Sequence, residues 1–230
     1  MNVTIIIPAR FGSSRYEGKP LIKINKIPLV IRVVKKCIKA ISKNNVYVAT
    51  DDKRISKVIN DYGFKYIMTS KKNLTGTDRV AEASKKVKAD IIINVQGDEP
   101  LINPMDILKV INQKKKNMKQ VVCAYCDLKK DEKPSRMTIP KVVFNEMNEL
   151  IYISRSPVPI AKKKNMKIKY FKQVCIYAFT KEELKAFRGM KRKSNIEKIE
   201  DIEILRFFDL NIKIKMIRLN SNSVAVDEIK

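Results

Sequence analysis

The run Ile91-Ile92-Ile93-Asn94-Val95, followed at once by Gln96-Gly97-Asp98-Glu99-Pro100, constrains this chain more than any other stretch. Consecutive isoleucines leave no polar face, so the segment suits a strand covered on both sides, as in the parallel sheet of an α/β domain. The strand cannot continue, because Gly97 permits a turn and Pro100 removes a ladder donor. Asp98 and Glu99 therefore fall just past the carboxyl end of a buried strand, where open α/β sheets bind ligands. Two carboxylates there read in two ways: as a site for a hard divalent metal carrying a phosphate-bearing substrate, or as the solvated acids of an ordinary turn.

The surrounding pattern repeats the theme. Strands predicted over 3–7, 45–50 and 65–68 alternate with a helix over 28–40 and one opening at Asp51-Asp52, acids expected to cap it. Helices over 104–112 and 181–187 and strands over 120–127, 170–179, 213–218 and 223–226 continue the series. Strands over 141–144 and 150–154, around Asn145-Glu146-Met147-Asn148, form an antiparallel excursion. The predicted fold is α/β: a single domain over 1–230 built on a doubly wound, mostly parallel, Rossmann-like sheet, with the excursion at about 128–170.

The first strand leads into Pro8-Ala9-Arg10-Phe11-Gly12-Ser13-Ser14-Arg15-Tyr16-Glu17-Gly18-Lys19-Pro20. Gly12 and Gly18 allow close backbone approach, Ser13 and Ser14 offer donors, and Arg10, Arg15 and Lys19 supply cations, a set suited to phosphate. The loop matches neither the dinucleotide fingerprint nor the Walker loop, and its other reading is a basic surface loop. Further on, Gly76 and Thr77 would open a helix with free N–H groups, Thr77 capping it. Arg79 in its first turn is misplaced for the helix dipole, so it either reaches an anion or a base or is simply solvated. Arg155, just before Pro157 and Pro159, can aim its guanidinium at a carboxylate. A helix from an Asn195 cap to Arg206 is expected to carry Glu197, Glu200 and Glu203 on a solvated acidic face.

The formal charge of +25 raises the question of nucleic acid. Lys114-Lys115-Lys116, Lys162-Lys163-Lys164 and Lys191-Arg192-Lys193 are far apart and lack interleaved aromatics, so a solvated lysine-rich surface that attracts small polyanions is expected instead. The absence of histidine excludes Ser-His and Cys-His nucleophiles and an imidazole base. Cys123 and Cys126 form a lone C-x-x-C without two further ligands, inside a core-like run, and are expected to be structural. No apolar stretch is long enough to span a bilayer and no basic leader precedes residues 3–7, so a cytoplasmic protein without membrane partners is expected.

Taken together, Pro8-Ala9-Arg10, Ser13, Arg15 and Gly18-Lys19-Pro20-Leu21, Val48-Ala49-Thr50-Asp51, Gly76-Thr77-Asp78-Arg79, Asn94-Val95-Gln96-Gly97-Asp98-Glu99-Pro100, Ser154-Arg155-Ser156-Pro157 and Val226-Asp227 resemble, in this order, the 3-deoxy-manno-octulosonate (Kdo) cytidylyltransferases. The resemblance covers essentially the whole chain. It implies a cytoplasmic, homodimeric nucleotidyltransferase that makes CMP-Kdo from CTP and Kdo, with Mg2+, for lipopolysaccharide biosynthesis, the antiparallel excursion building the dimer contact. It assigns the nucleotide to Pro8, Ala9, Arg10, Ser13, Lys19, Gly76, Thr77, Arg79, Gln96 and Asp98, with Arg10, Lys19 and Asp98 catalytic. It assigns magnesium to Asp98 and Asp227, and the sugar to Arg155, Gln173, Tyr177, Glu200 and Glu203.

The departures from that family fall mainly in the sugar half. Gln173 and Cys175 stand where histidine and glycine are usual, Ile204 replaces a glutamine, Glu17 replaces a proline, and the chain stops at Lys230 without the helix that usually follows Asp227. The alternatives are a cytidylyltransferase for 8-amino-Kdo or a sialic-acid-type sugar, or a non-catalytic nucleotide- or RNA-binding relative.

Overall fold

Ile5, Ile7, Ile91 and Ile93 face one side of a central sheet while Ile6 and Ile92 face the other, so each isoleucine run feeds two separate apolar layers. That is the packing a strand without a polar face requires. The computed structural model describes residues 1–12, 16–163 and 165–220; Ser13, Asp227 and the strand expected over 223–226 lie outside the described residues.

The first half runs β1 (Val3–Ala9), a short ribbon of β2 (Lys23–Ile24) and β3 (Ile27–Pro28), α1 (Leu29–Cys37), β4 (Val46–Thr50), α2 (Lys53–Asp61), β5 (Lys65–Met68), α3 (Gly76–Ser84) and β6 (Ile91–Val95). The second runs α4 (Pro104–Lys116), β7 (Val121–Asp127), β8 (Lys141–Phe144), β9 (Leu150–Ser154), β10 (Phe171–Phe179), α5 (Lys181–Gly189), α6 (Asn195–Glu200), α7 (Arg206–Asp209) and β11 (Ile214–Arg218). The main sheet has the order β11-β7-β10-β6-β1-β4-β5. Its neighbours are parallel except β10, which runs antiparallel to both β6 and β7. The β8–β9 hairpin attaches through β10, and the expected α/β sheet with an antiparallel excursion is what forms.

Several local expectations are corrected by tertiary contacts. Asp52 does cap α2, but Asp51 instead pairs with Arg79 at 2.8 Å. Thr75 rather than Thr77 caps α3, and Ser194 rather than Asn195 caps α6 in a capping box with Glu197. The helix expected to reach Arg206 breaks at Asp201, which is left-handed at φ 49, and a 3-10 turn over Glu203–Leu205 intervenes. Break and turn redirect the three glutamates inward, so the acidic face is not solvated: Glu197, Glu200 and Glu203 all accept hydrogen bonds from other elements. Lys114, expected on a solvated basic cluster, is fully buried. Its ammonium bonds both oxygens of Glu183, at 2.7 and 2.8 Å, and the carbonyls of Met118 and Gln120, which satisfies a charge that burial would otherwise penalise.

Candidate active site

The carboxyl ends of β1 and β6 meet under a cleft of about 800 Å3. The approach of the two strand ends depends on Gly97, since a Cβ there would sit 2.9 Å from the carbonyl oxygen of Pro8. Of the residues singled out in the sequence, Pro8, Ala9, Arg10, Lys19, Gly76, Arg79, Gln96 and Asp98 line this one cleft, together with Arg155, Gln173, Tyr177 and Glu203. Thr77 and Glu200 are not on its wall; they lie behind it, bonded to or within the elements that form it. A volume of this order lies within the usual range of small-molecule sites.

At one end Lys19 Nζ lies 2.7 Å from Asp98 Oδ2, joining the loop after β1 to the turn after β6 across 79 residues. Gly18, left-handed at φ 71, starts the turn over Lys19–Leu21 that presents this lysine. Phe11 anchors the same loop: its carbonyl accepts from the Gly18 N–H at 2.8 Å, and the Arg54 guanidinium stacks 3.3 Å from the centre of its ring. Both partners of the Lys19–Asp98 pair are partly open to the cleft, with side-chain exposures of 18% and 33%. The pair therefore remains available to a ligand.

The wall opposite is more fully engaged than the sequence implied. The Thr77 N–H donates to Glu203 Oε2 at 2.9 Å, and Gln96 Nε2 donates to Glu203 Oε1 at 3.0 Å. Thr77 thus presents no free N–H to the cleft, and the Glu203 carboxylate acts as a crosslink between α3 and the end of β6. Burial pushes the Glu203 carboxyl up, while the Thr77 N–H favours its charged form. Arg79 is buried rather than solvated, and the anion it reaches is the protein's own: Nη2 lies on the Asp51 carboxylate and Nη1 on Thr69 Oγ1 at 2.6 Å.

A bulge in β10 shapes the wall beside Glu99. Val174 pairs with Ala124 but Tyr177 pairs with Cys123, so Cys175 and Ile176 are extra. In a regular strand Gln173 and Tyr177 would be roughly 13 Å apart along the chain. Here Gln173 Nε2 reaches the Tyr177 hydroxyl at 3.0 Å, and the Cys175 N–H donates to Glu99 Oε1 at 3.2 Å. Burial raises the Tyr177 hydroxyl and the Cys175 thiol well above their ordinary values, so both are neutral and Cys175 is no nucleophile. Glu99 is a buried brace of the bulge rather than a solvated turn acid. Arg155 does not aim at a carboxylate: its guanidinium donates to the carbonyls of Glu200, Met137 and Asp201. The Glu200 carboxylate instead accepts from Ser154 Oγ at 2.7 Å and the Arg155 N–H at 2.8 Å.

Sequence reading missed Arg136 and Lys172, which also line the cleft, and Arg206, which lies behind it. Lys172 reads as one more lysine on a strand, and its burial against Glu132 depends on where the 129–140 segment folds back. The C-x-x-C pair is structural, as expected: Cys123 and Cys126 are free and buried, with burial pushing their thiols up to about 12 and about 11.

Comparison with known proteins agrees with this geometry. The family model described as Cytidylyltransferase matches residues 4–214. The 3-deoxy-manno-octulosonate cytidylyltransferase of Escherichia coli is 35% identical over 97% of this chain and 90% of its own length. An 8-amino-3,8-dideoxy-manno-octulosonate cytidylyltransferase of Shewanella sp. (strain W3-18-1) is 37% identical over 99% of this chain and 94% of its own. A solved CMP:2-keto-3-deoxy-manno-octonic acid synthetase complexed with CTP superposes with a TM-score of 0.90 at 34% identity, covering 99% of this chain and 93% of that one. With its sheet, its Lys19–Asp98 edge and these relatives, the chain belongs to the cytidylyltransferase family and is a nucleotidyltransferase.

Proposed function

We propose that the enzyme transfers the cytidylyl group of CTP to the anomeric hydroxyl of a Kdo-like 3-deoxy sugar acid, releasing pyrophosphate, in lipopolysaccharide biosynthesis. The observation that carries this reading is the Lys19–Asp98 contact, which sets a cation and a hard oxygen donor side by side where a triphosphate can meet both. The hydroxyl oxygen bonds to the α-phosphorus as the bond from that phosphorus to the bridging oxygen of pyrophosphate breaks, and the hydroxyl proton passes to water. Arg10 and Lys19 hold the phosphates in line and offset the charge on the leaving group. Pro8, Ala9, Gly76 and Gln96 shape the nucleotide end, with Thr77 and Arg79 acting through the contacts described above and Ser13 assigned there from its motif alone.

Magnesium belongs to the same reading. Mg2+ is commonly bound by one or two carboxylates plus substrate phosphates, and Asp98 offers a carboxylate of that kind at an open strand end. Among the described residues no group of three or more His, Cys, Asp or Glu could hold a metal, so a protein-only cage is not the arrangement proposed. Asp98, with Asp227 from outside the described residues, would hold the ion. Bound there, it would neutralise phosphate charge and lower the pKa of a coordinated hydroxyl. Arg10→Ala is expected to weaken CTP binding about 10- to 100-fold by calorimetry, with an unchanged melting temperature, because an exposed loop cation adds little to the core. Unchanged CTP affinity would remove the loop from the site.

A homodimer in the cytoplasm completes the proposal. Edge strand β9 exposes Ile151 where a second copy can pack, and no helix among the described residues is long and apolar enough to cross a membrane. The choice of sugar is open to one specific influence. Gln173 stands in the cleft bonded to Tyr177, and a neutral amide that donates and accepts satisfies different sugar groups from an imidazole. The test is a panel of Kdo, 8-amino-Kdo and sialic acid with CTP and magnesium, reading pyrophosphate, run for the natural protein and for Gln173→His. Turnover of at least one acid is expected, with the Kdo to 8-amino-Kdo ratio shifting about 10- to 100-fold in the variant. No turnover of any acid would overturn the function, and an unshifted ratio would overturn the role of Gln173.

A further inference from the structure

The loop that carries Lys19 is braced from outside the cleft. Arg54, in the first turn of α2, is not on the cleft wall. Its guanidinium is fixed in two directions. Nε and Nη2 take the two oxygens of Asp52, at 2.9 and 2.8 Å, and the guanidinium carbon lies over the Phe11 ring, 3.3 Å from its centre. Asp52 is the main group favouring the charged form of Arg54, with Glu17, in the loop itself, adding to it. Asp52 is rooted in turn at the end of β4: its N–H donates to Thr50 Oγ1 at 3.3 Å, and its neighbour Asp51 pairs with the buried Arg79.

From Phe11 the contacts run on to Lys19. The Phe11 ring packs over Gly18, where a Cβ would lie 3.2 Å from ring carbons Cε2 and Cζ, and the Phe11 carbonyl accepts from the Gly18 N–H at 2.8 Å. Gly18 opens the turn that presents Lys19 to Asp98. Glu17 replaces a proline just before it, so no ring fixes the backbone there. The Arg54–Asp52 pair is largely exposed on the arginine side, and such a pair adds little to folding. A guanidinium held by a carboxylate and laid on an aromatic face does restrict the ring beneath it.

We propose that Arg54 is a positioning residue for the phosphate loop: by clamping Phe11 it holds Gly18 and Lys19 in the arrangement that receives the terminal phosphates of CTP. The proposal rests on the reading above that this loop holds the triphosphate. A loop ordered beforehand loses less freedom when the ligand arrives, so the clamp acts on affinity. It acts at the β- and γ-phosphates and leaves the cytidine end alone.

The experiment measures CTP and CMP binding by calorimetry in the presence of magnesium, for the natural protein, Arg54→Gln, Phe11→Leu, Phe11→Tyr, the double variant Arg54→Gln with Phe11→Leu, and Arg10→Ala. Arg54→Gln and Phe11→Leu are each expected to bind CTP about 2- to 5-fold more weakly, the effect of an exposed cation–π contact, with CMP bound as before. The melting temperature of Arg54→Gln should hold. Phe11→Tyr keeps the ring and should bind CTP like the natural protein. The double variant should lose no more than the weaker of the two single variants, because both remove one contact. Equal losses for CTP and CMP would mark a general disturbance and overturn the proposal, as would single losses that multiply in the double variant. A loss in Arg54→Gln with none in Phe11→Leu, which changes no charge, would make Arg54 a distant attracting cation and overturn the clamp. A loss in Arg10→Ala with none in Arg54→Gln would overturn the clamp and leave the loop in the site. No CTP binding by the natural protein, or no loss in Arg10→Ala, would overturn the loop reading and the clamp with it.

Discussion

Asp98→Asn is expected to lower turnover by about 100- to 1,000-fold at saturating CTP, the scale associated with removing one preorganised group that meets developing charge. CTP affinity should change less than tenfold, because Arg10 and Lys19 remain. The substitution keeps the size of the side chain and the turn after β6, and it replaces an anion beside Lys19 by an amide that can no longer attract the ammonium. Since both partners are partly exposed, their mutual attraction contributes little to folding, and the melting temperature should hold. Three measurements separate the cases: turnover, calorimetry with CTP, and thermal unfolding. A loss of turnover without a loss of fold or of CTP binding marks a group acting in the transition state. Near-normal activity at limiting magnesium would sink the metal role.

Arg206→Met is expected to destabilise the fold by about 3–5 kcal/mol, the usual cost of leaving buried partners of a lost charge uncompensated. Arg206 is fully buried between three elements. Its guanidinium holds Glu197 through Nε and Nη2, each at 2.7 Å, and Asp78 through Nη1 at 2.8 Å and Nη2 at 3.1 Å. It also lies 3.8 Å from the centre of the Phe187 ring. Removing it strands two buried carboxylates, one on α3 and one on α6. A urea titration should show a lower midpoint with little change in slope. Arg206→Lys should fall between, since an ammonium cannot reproduce the forked geometry. Neutralising both acids together with Arg206→Met should recover much of the loss; if it did not, packing rather than stranded charge would be the cause.

The layering and the active edge were legible in the sequence. Isoleucine runs without a polar face specify a doubly covered sheet through burial alone, and Gly97 and Pro100 end one such strand where Asp98 must face solvent or ligand. The motifs after β1 and β6 read as one site because strand ends of a parallel sheet converge. The Lys19–Asp98 contact shows that the two loops meet.

Only the tertiary structure decided which charges face a ligand and which face each other. Periodicity records the side of an element that leaves water, but it says nothing about the partner waiting there. Thr77 and Glu203 are 126 residues apart, and Asp78 and Arg206 are 128 apart. Acids spaced by three on a helical pattern read as solvated until a left-handed Asp201 turns them inward, and Arg79 reads as a ligand cation until Asp51 is found beside it. The bulge that joins Gln173 to Tyr177 shows only in the register of β10 against β7, between Val174 and Tyr177. Hydrophobicity is a property each residue carries in its own side chain, and so the sequence by itself determined the apolar layers; charge pairing is a property of two distant positions, and only the packed fold could assign it.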